Sequence, residues 1–325
     1  MTTTRAVRFH ETGGPEVLRL EQIAVPAPGP GEVLLRHEAI GVNFIDTYHR
    51  TGLYPVPLPS GIGVEGAGVI EAVGPDVQGF AVGDRVAYAN GPLGGYAELR
   101  VLPARLLVPI PASLPAKTVA ATLLKGMTAE YLVRRTFAVK PGDRVLFHAA
   151  AGGVGLLACQ WLRALGAHVI GTVGSDEKVA VAREAGCEHV IVYTREDFVA
   201  RTKELTEGRG VAVVYDSVGK DTFDGSLACL APRGMLVGFG NASGKPPAFD
   251  PMRLAAGSFF FTRAVLGHYT STREELLGSA GAFLEKVVDG SIVVRPPAEF
   301  SLAAAADAHR SLASRATIGS TILLP

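Results

Sequence analysis

Arg144-Val145-Leu146-Phe147-His148-Ala149-Ala150-Ala151-Gly152-Gly153-Val154-Gly155 is the stretch on which the fold turns. An apolar, β-prone run passes into a glycine-rich turn, and beyond it Leu156, Leu157, Cys159 and Leu162 recur at helical spacing. Strand, tight turn and helix in that order form the seat for a dinucleotide pyrophosphate. Small residues let the backbone approach closely, and the amides that open a helix meet the negative charge. Ala151, Gly152, Gly153, Val154 and Gly155 are therefore the candidate pyrophosphate contacts. The pattern is Ala-x-Gly-Gly-Val-Gly and not the strict Gly-x-Gly-x-x-Gly, so a turn that only packs a helix on a sheet is the competing reading.

Outward from this motif the chain changes character near residue 124. Downstream, β-like runs at 145–149, 168–173, 189–193, 212–216 and 235–240 alternate with helical patterns such as 177–185 and 198–206, which predicts a doubly wound parallel α/β sheet of Rossmann type. Upstream, short runs at 5–9, 33–39, 68–73 and 85–89 are punctuated by clusters such as Pro26-Ala27-Pro28-Gly29-Pro30-Gly31, which predicts a mostly β domain. From about 264 come a helical pattern at 272–288, a proline-containing run at 292–297, an alanine-rich helix and a closing strand at 319–323. The expected organisation is a first domain over 1–124, completed by 264–325, and a dinucleotide-binding domain over 125–263.

Composition narrows the function classes. Thirty-one basic residues balance 31 acidic ones among 325, so no overall attraction to nucleic acid or to a membrane surface is expected. Three cysteines, Cys159, Cys187 and Cys229, are too few and too scattered for a disulfide framework or a metal knuckle, and suit reduced thiols. The first residues lack the apolar core of a signal peptide, and no run approaches the roughly 18 apolar residues of a membrane span. A soluble, cytoplasmic protein acting on a small molecule is expected.

The end of the second strand bears on the cofactor. An NAD site places a carboxylate about 20 residues past the glycine turn to bond the ribose 2′-hydroxyl; here that place holds Gly171-Thr172-Val173-Gly174-Ser175. Nothing there repels a 2′-phosphate, Ser175 can donate to it, and Lys178 can supply charge, which favours NADPH. Asp176 and Glu177 oppose this if they face inward. They do not if Ser175 is a helix N-cap and the two acids sit in the solvated first turn. A solvated surface position is the plainer alternative for Lys178.

The run Gly41-Val42-Asn43-Phe44-Ile45-Asp46-Thr47-Tyr48-His49-Arg50-Thr51-Gly52-Leu53-Tyr54-Pro55, taken with the glycine-rich turn and Val214-Tyr215-Asp216-Ser217-Val218-Gly219, is similar to the zinc-independent quinone oxidoreductases. These are the ζ-crystallin-like branch of the medium-chain dehydrogenase/reductase superfamily, and the likeness is to the bacterial members above all through Leu124-Lys125-Gly126-Met127-Thr128 and Phe239-Gly240-Asn241-Ala242-Ser243-Gly244. The resemblance implies a GroES-like catalytic domain, an NADPH-binding Rossmann domain, an active site between them and usually a homodimer, paired through the strand near 257–262. Zinc-dependent members carry a Cys after the first Gly-Val and a His in Gly-His-Glu. This chain has Asn43 and Val64 there, and valine cannot ligate a metal, so no metal is expected. Glu65 remains, with a structural role expected in its turn.

By the same resemblance, Asn43 and Tyr48 line the nicotinamide side and Tyr54 borders the acceptor. Thr128, Gly174, Ser175, Lys178, Tyr193, Ser217, Phe239, Gly240, Asn241, Phe261, Arg263 and Arg315 join the cofactor contacts. Asn43 has a plain alternative as a buried amide satisfying a turn, each tyrosine as a core ring with its hydroxyl in water, and Arg263 and Arg315 as surface ion pairs. The expected reaction is hydride or electron transfer from NADPH to a quinone. Reduction of the carbon–carbon double bond of enals or enones, and a non-enzymatic NADPH- or RNA-binding role, stay open as alternatives.

Overall fold

The computed structural model describes residues 2–314 and 317–325. It divides into two compact units, one of Gly126–Tyr269 with Asp289–Val293, the other of Met1–Lys125, Thr270–Val288 and Val294–Pro325.

The first of these holds the glycine-rich turn. Six parallel strands lie in the order His189–Val192, His168–Val173, Arg144–Phe147, Val211–Asp216, Leu230–Gly238 and Phe260–Arg263. Numbered along the chain this is 3-2-1-4-5-6, the Rossmann order, whose direction reverses between the first and fourth strands. Val145, Leu146 and Phe147 are each fully buried. Burial of side chains of this size contributes about 1.5–3 kcal/mol apiece, which is why the strand leading into the motif is central. Helices Gly153–Ala164, Val179–Glu184, Phe198–Leu205 and Phe223–Ala228 provide the crossovers.

The expected parallel α/β sheet is thus present, with shifted boundaries. The first strand stops at Phe147, short of 149, because Ala149 turns the backbone to φ +54°, outside any strand geometry. The fifth strand begins at Leu230, five residues before the expected start, and carries a register shift opposite Val211 to Val213. Pro232, Arg233 at φ +64° and Gly234 mask that beginning in the sequence, as residues at a bulge do.

The other unit is mostly β, as expected for a GroES-like domain. Strand Glu32–Val42 is its axis. One edge pairs with Gly66–Val73, and the opposite edge is shared by Leu99–Pro103 over its first half and Thr321–Leu324 over Ile40 to Val42. A three-stranded antiparallel sheet of Arg19–Val25, Thr2–Phe9 and Ser60–Gly61 accompanies it. Val7, Phe9, Ile40, Val42, Tyr96, Leu302, Ala308 and Leu323 share one core, so both ends of the chain close over the same apolar cluster. The closing strand is Thr321–Leu324 where 319–323 was expected. Residues 292–297 form neither helix nor strand, since Pro296 and Pro297 have no amide hydrogen to give a ladder.

Candidate functional site

In the Rossmann unit the glycine-rich turn is shaped by close approach. A Cβ on Gly155 would lie 2.4 Å from the Ala149 carbonyl oxygen and 2.7 Å from the Ala150 backbone, so only glycine lets the helix sit this near the turn. Gly152 precedes helix Gly153–Ala164 at φ −80°, ψ 174°, with no side-chain cap. The opening amides therefore have no intrahelical acceptor and could hold an anion.

Beneath the turn lies a buried polar chain. Asp216 accepts from the amides of Val218 and Gly219 at 2.8 and 3.0 Å and from the hydroxyls of Thr222 and Ser226 at 2.7 and 2.9 Å. Because Ser226 gives its proton to Asp216, His148 Nε2, 3.0 Å from Ser226 Oγ, must donate, and Nδ1 accepts from Thr172 Oγ1 at 2.9 Å. Burial lowers the pKa of the imidazole, against the pull of Asp216. This network ties the first, second and fourth strands together at the point where ligands bind in open sheets, and it bends the Ser217 to Gly219 loop. A Cβ on Gly240 would meet the Ser217 oxygen at 2.5 Å, the Phe239 amide donates to the Asp216 carbonyl at 2.8 Å, and Asn241 is buried beside them. Ser217, Phe239, Gly240 and Asn241 are thereby gathered in one place.

A second group forms at the end of strand His168–Val173. The Tyr193 hydroxyl would be 3.0 Å from a Cβ on Gly174, so the ring lies over that glycine. Ser175 stands at the N-cap position of the turn Asp176–Lys178 without a side-chain cap bond. Lys178 is half-buried, and burial lowers its pKa against the pull of Glu177. Of the two acids that weighed against a phosphate here, both exposed, Asp176 pairs with Arg195 at 2.7 Å and Glu177 acts on Lys178. Phe261 packs edge-on against Phe223 and Phe249, with centroids 5.4 Å away in each case, and belongs to the core. Arg263 donates to the Gly238 carbonyl at 3.1 Å, holding the ends of the last two strands. Thr128 is buried on helix Ala116–Tyr131, and Arg315 lies outside the described residues.

In the mostly β unit, helix Phe44–Arg50 begins at Asn43, whose backbone amide donates to Asp46 Oδ2 at 2.8 Å and whose side-chain amide donates to Glu65 at 2.8 Å. Glu65 reaches well beyond the local turn role expected of it: the carboxylate also takes the Leu124 amide at 2.7 Å and pairs with the Lys125 ammonium at 3.7 Å, while Lys125 donates to the Val42 carbonyl at 3.4 Å. Burial raises the Glu65 pKa, opposed first by Lys125. Asp46 is fully buried and pushed up to about 7 by that burial, against the Asn43 amide and the Tyr96 hydroxyl. Tyr96 donates to Asp46 at 2.9 Å, so its oxygen accepts from His309 Nε2 at 3.0 Å, and His309 Nδ1 faces Arg50 at 3.3 Å. Tyr48 and Tyr54 meet edge-on with centroids 5.2 Å apart. His49, which the sequence did not single out, packs on Tyr54 at 5.9 Å and is half-buried, which lowers its pKa. Its only signal was its place between two flagged positions. Among the described residues, no three His, Cys, Asp or Glu side chains converge to hold a metal.

Two family profiles match the chain, an alcohol dehydrogenase GroES-like domain over residues 29–112 and a zinc-binding dehydrogenase over 153–281. The quinone oxidoreductase of Pseudomonas aeruginosa is 51% identical over 323 residues, 99% of each chain. The chain belongs to the quinone oxidoreductases of the medium-chain dehydrogenase/reductase family. A 2-haloacrylate reductase from a Burkholderia species is 47% identical over 98% of each chain. The crystal structure of the Escherichia coli quinone oxidoreductase complexed with NADPH superposes with a TM-score of 0.97 at 46% identity, covering 100% of both chains. As a member of this family the protein is an oxidoreductase.

Proposed function

We propose that this protein is a cytoplasmic, zinc-independent NADPH:quinone reductase. The observation that carries the reading is the end of the second Rossmann strand. The strand itself runs out into Gly174 and Ser175 with no carboxylate, Lys178 lies half-buried three residues on, and Asp176 pairs with Arg195. The cradle at Gly152 and Gly155, which a Cβ would crowd or fill, fits a pyrophosphate. NADPH, when bound, supplies a hydride from its nicotinamide ring.

The residues divide the remaining work. The opening amides of Gly153–Ala164 take the pyrophosphate. Ser175 and Lys178 take the 2′-phosphate, with Gly174 and Tyr193 beside the adenosine end. Thr128, Ser217, Phe239, Gly240 and Asn241 complete the cofactor contacts. Asn43, fixed by Glu65, lines the nicotinamide side. Tyr48 and Tyr54 offer flat faces and hydroxyls to a planar acceptor, which suits conjugated oxygen. Val64 has no donor atom, and Asn43 offers only a neutral amide oxygen where a zinc site uses a thiolate, so these residues do not suit a zinc ion.

One observation favours a second reading, reduction of an activated carbon–carbon double bond: the similarity to a 2-haloacrylate reductase over nearly the whole chain. The test follows NADPH oxidation, with and without a chelator, against benzoquinones, naphthoquinones, haloacrylates, enals and saturated aldehydes. Higher kcat/KM for a quinone than for any alkene, unchanged by chelation, is expected; the reverse order establishes the second reading.

A further inference from the structure

Two of the three cysteines, which the reading above leaves unused, meet in the Rossmann unit. Cys159 lies on helix Gly153–Ala164, one turn beyond Gly155, and Cys187 lies between helix Val179–Glu184 and strand His189–Val192. Their sulfurs are 3.6 Å apart. Both side chains are buried, with 4% exposure left at Cys187 and none at Cys159. The backbone is built for this approach. Gly186 adopts φ +111°, and a Cβ on it would lie 3.0 Å from the Cys159 carbonyl oxygen. Across from it, a Cβ on Gly171 would lie 2.6 Å from the Cys187 sulfur and 2.8 Å from Ala150 Cβ, so one missing side chain makes room for both the thiol and the glycine-rich turn. Cys229 packs elsewhere, among Leu227 and Leu230.

We propose that Cys159 and Cys187 form a reversible dithiol–disulfide site whose oxidation weakens the grip of this unit on a dinucleotide 2′-phosphate. The oxidant is hydrogen peroxide. One sulfur, as thiolate, attacks the peroxide oxygen; the O–O bond breaks, leaving a sulfenic acid and releasing the other oxygen as water once protonated. The second sulfur then attacks the sulfenic sulfur, the S–S bond forms and the sulfenic oxygen leaves as water. Two thiols lose two electrons and hydrogen peroxide becomes two waters. Contact with Cys187, and then burial, push the Cys159 thiol well above its usual range. Cys187, with its residual exposure, is the sulfur that meets the oxidant first.

The consequence for the nucleotide follows from which element yields. A disulfide needs its sulfurs about 2.05 Å apart, so the pair must close by roughly 1.5 Å. Cys159 sits on a twelve-residue helix with Trp161 and Leu162 buried around it. Cys187 is tied to a six-residue helix by its amide, which donates to the Ala182 carbonyl at 3.1 Å, while the next amide, of Glu188, donates to the Val169 carbonyl of the second strand at 2.9 Å. The short helix is the one drawn along, and its far end carries Ser175 and Lys178. This half of the inference rests on the NADPH reading.

The test treats the whole protein with hydrogen peroxide, blocks remaining thiols with N-ethylmaleimide under denaturing conditions, and maps peptides without reductant. The expected result is loss of two of the three thiols, a Cys159–Cys187 linked peptide, Cys229 alkylated, and full reversal by dithiothreitol. NADPH and NADH are then titrated against reduced and oxidised protein. NADPH affinity is expected to fall at least about fivefold, the lower range of coupling factors, with NADH changed less. In Cys187→Ser neither linkage nor the affinity change should occur. Retention of three thiols, over-oxidation without linkage, linkage that leaves NADPH affinity unchanged, or an affinity loss that persists in Cys187→Ser each overturns the proposal. Reduced protein that binds NADPH no better than NADH defeats the cofactor reading instead, while the linked peptide still decides whether the dithiol closes.

Discussion

The side-chain amide of Asn43 donates to Glu65 across 2.8 Å, and Glu65 has no solvent exposure at all. A carboxylate held that deep needs its partners, and Lys125, itself buried, is the charged one. Glu65→Gln leaves an ammonium in the interior and should cost about 3–5 kcal/mol, whereas adding Lys125→Met should restore most of the loss. Urea unfolding of the two single variants and the double variant measures this. Additive losses would show that the two groups do not act as a pair.

Lys178→Ala should weaken NADPH by about 1.5–3 kcal/mol, roughly 10- to 150-fold, through loss of a charge-assisted bond, and NADH by far less. Fluorescence titration of both nucleotides checks it. Equal losses would place the ammonium away from the phosphate.

Asp46 predicts a pH-dependent stability of unusual sign. Its carboxyl is raised from 3.8 to about 7, so the folded protein holds a proton that the unfolded chain releases above pH 4. Stability therefore falls as pH rises from about 4 to about 7, with a slope from this group approaching 1.4 kcal/mol per pH unit, and is level above that window. Asp46→Asn should flatten the slope. Parallel pH profiles for the two proteins would mean that Asp46 is ionised throughout.

Strand Phe260–Arg263 is one edge of the six-stranded sheet, with Phe260 56% exposed. An apolar edge strand invites pairing with another copy, and a two-fold axis closes that pairing into a dimer. Sedimentation at micromolar concentration should give twice the 33.9 kDa chain mass, and Phe260→Asp should shift the protein toward monomer. A native monomer would leave this edge with another purpose.

Local chemistry was legible in the sequence, and long-range partnership was not. Gly155 announces a close approach because it stands between a β-prone run and a helical one, and the structure leaves its Cβ no space. Ala149 gives no such sign, since alanine rarely adopts φ +54° and nothing in its type marks it. The chain from Thr172 through His148 and Ser226 to Asp216 joins residues as many as 78 positions apart, and each looks ordinary alone. Glu65 was visible as a remnant of a metal motif, but the residues it holds, Asn43, Leu124 and Lys125, are brought to it only by the fold. The contact between Cys159 and Cys187 was hidden for the same reason.

The strand ending at Val42 waits for its last neighbour. Ile40 to Val42 pair with Leu323 to Thr321, and about 280 residues must leave the ribosome between the two partners. At 5–20 residues per second this is on the order of 15–55 s. The uninterrupted segment Gly126–Tyr269 is synthesised whole within that interval and can fold while the earlier strands are still incomplete. The pairing of Val42 with Thr321 is consequently among the last to form, and a nascent chain stalled before Thr321 should present an open strand edge to chaperones.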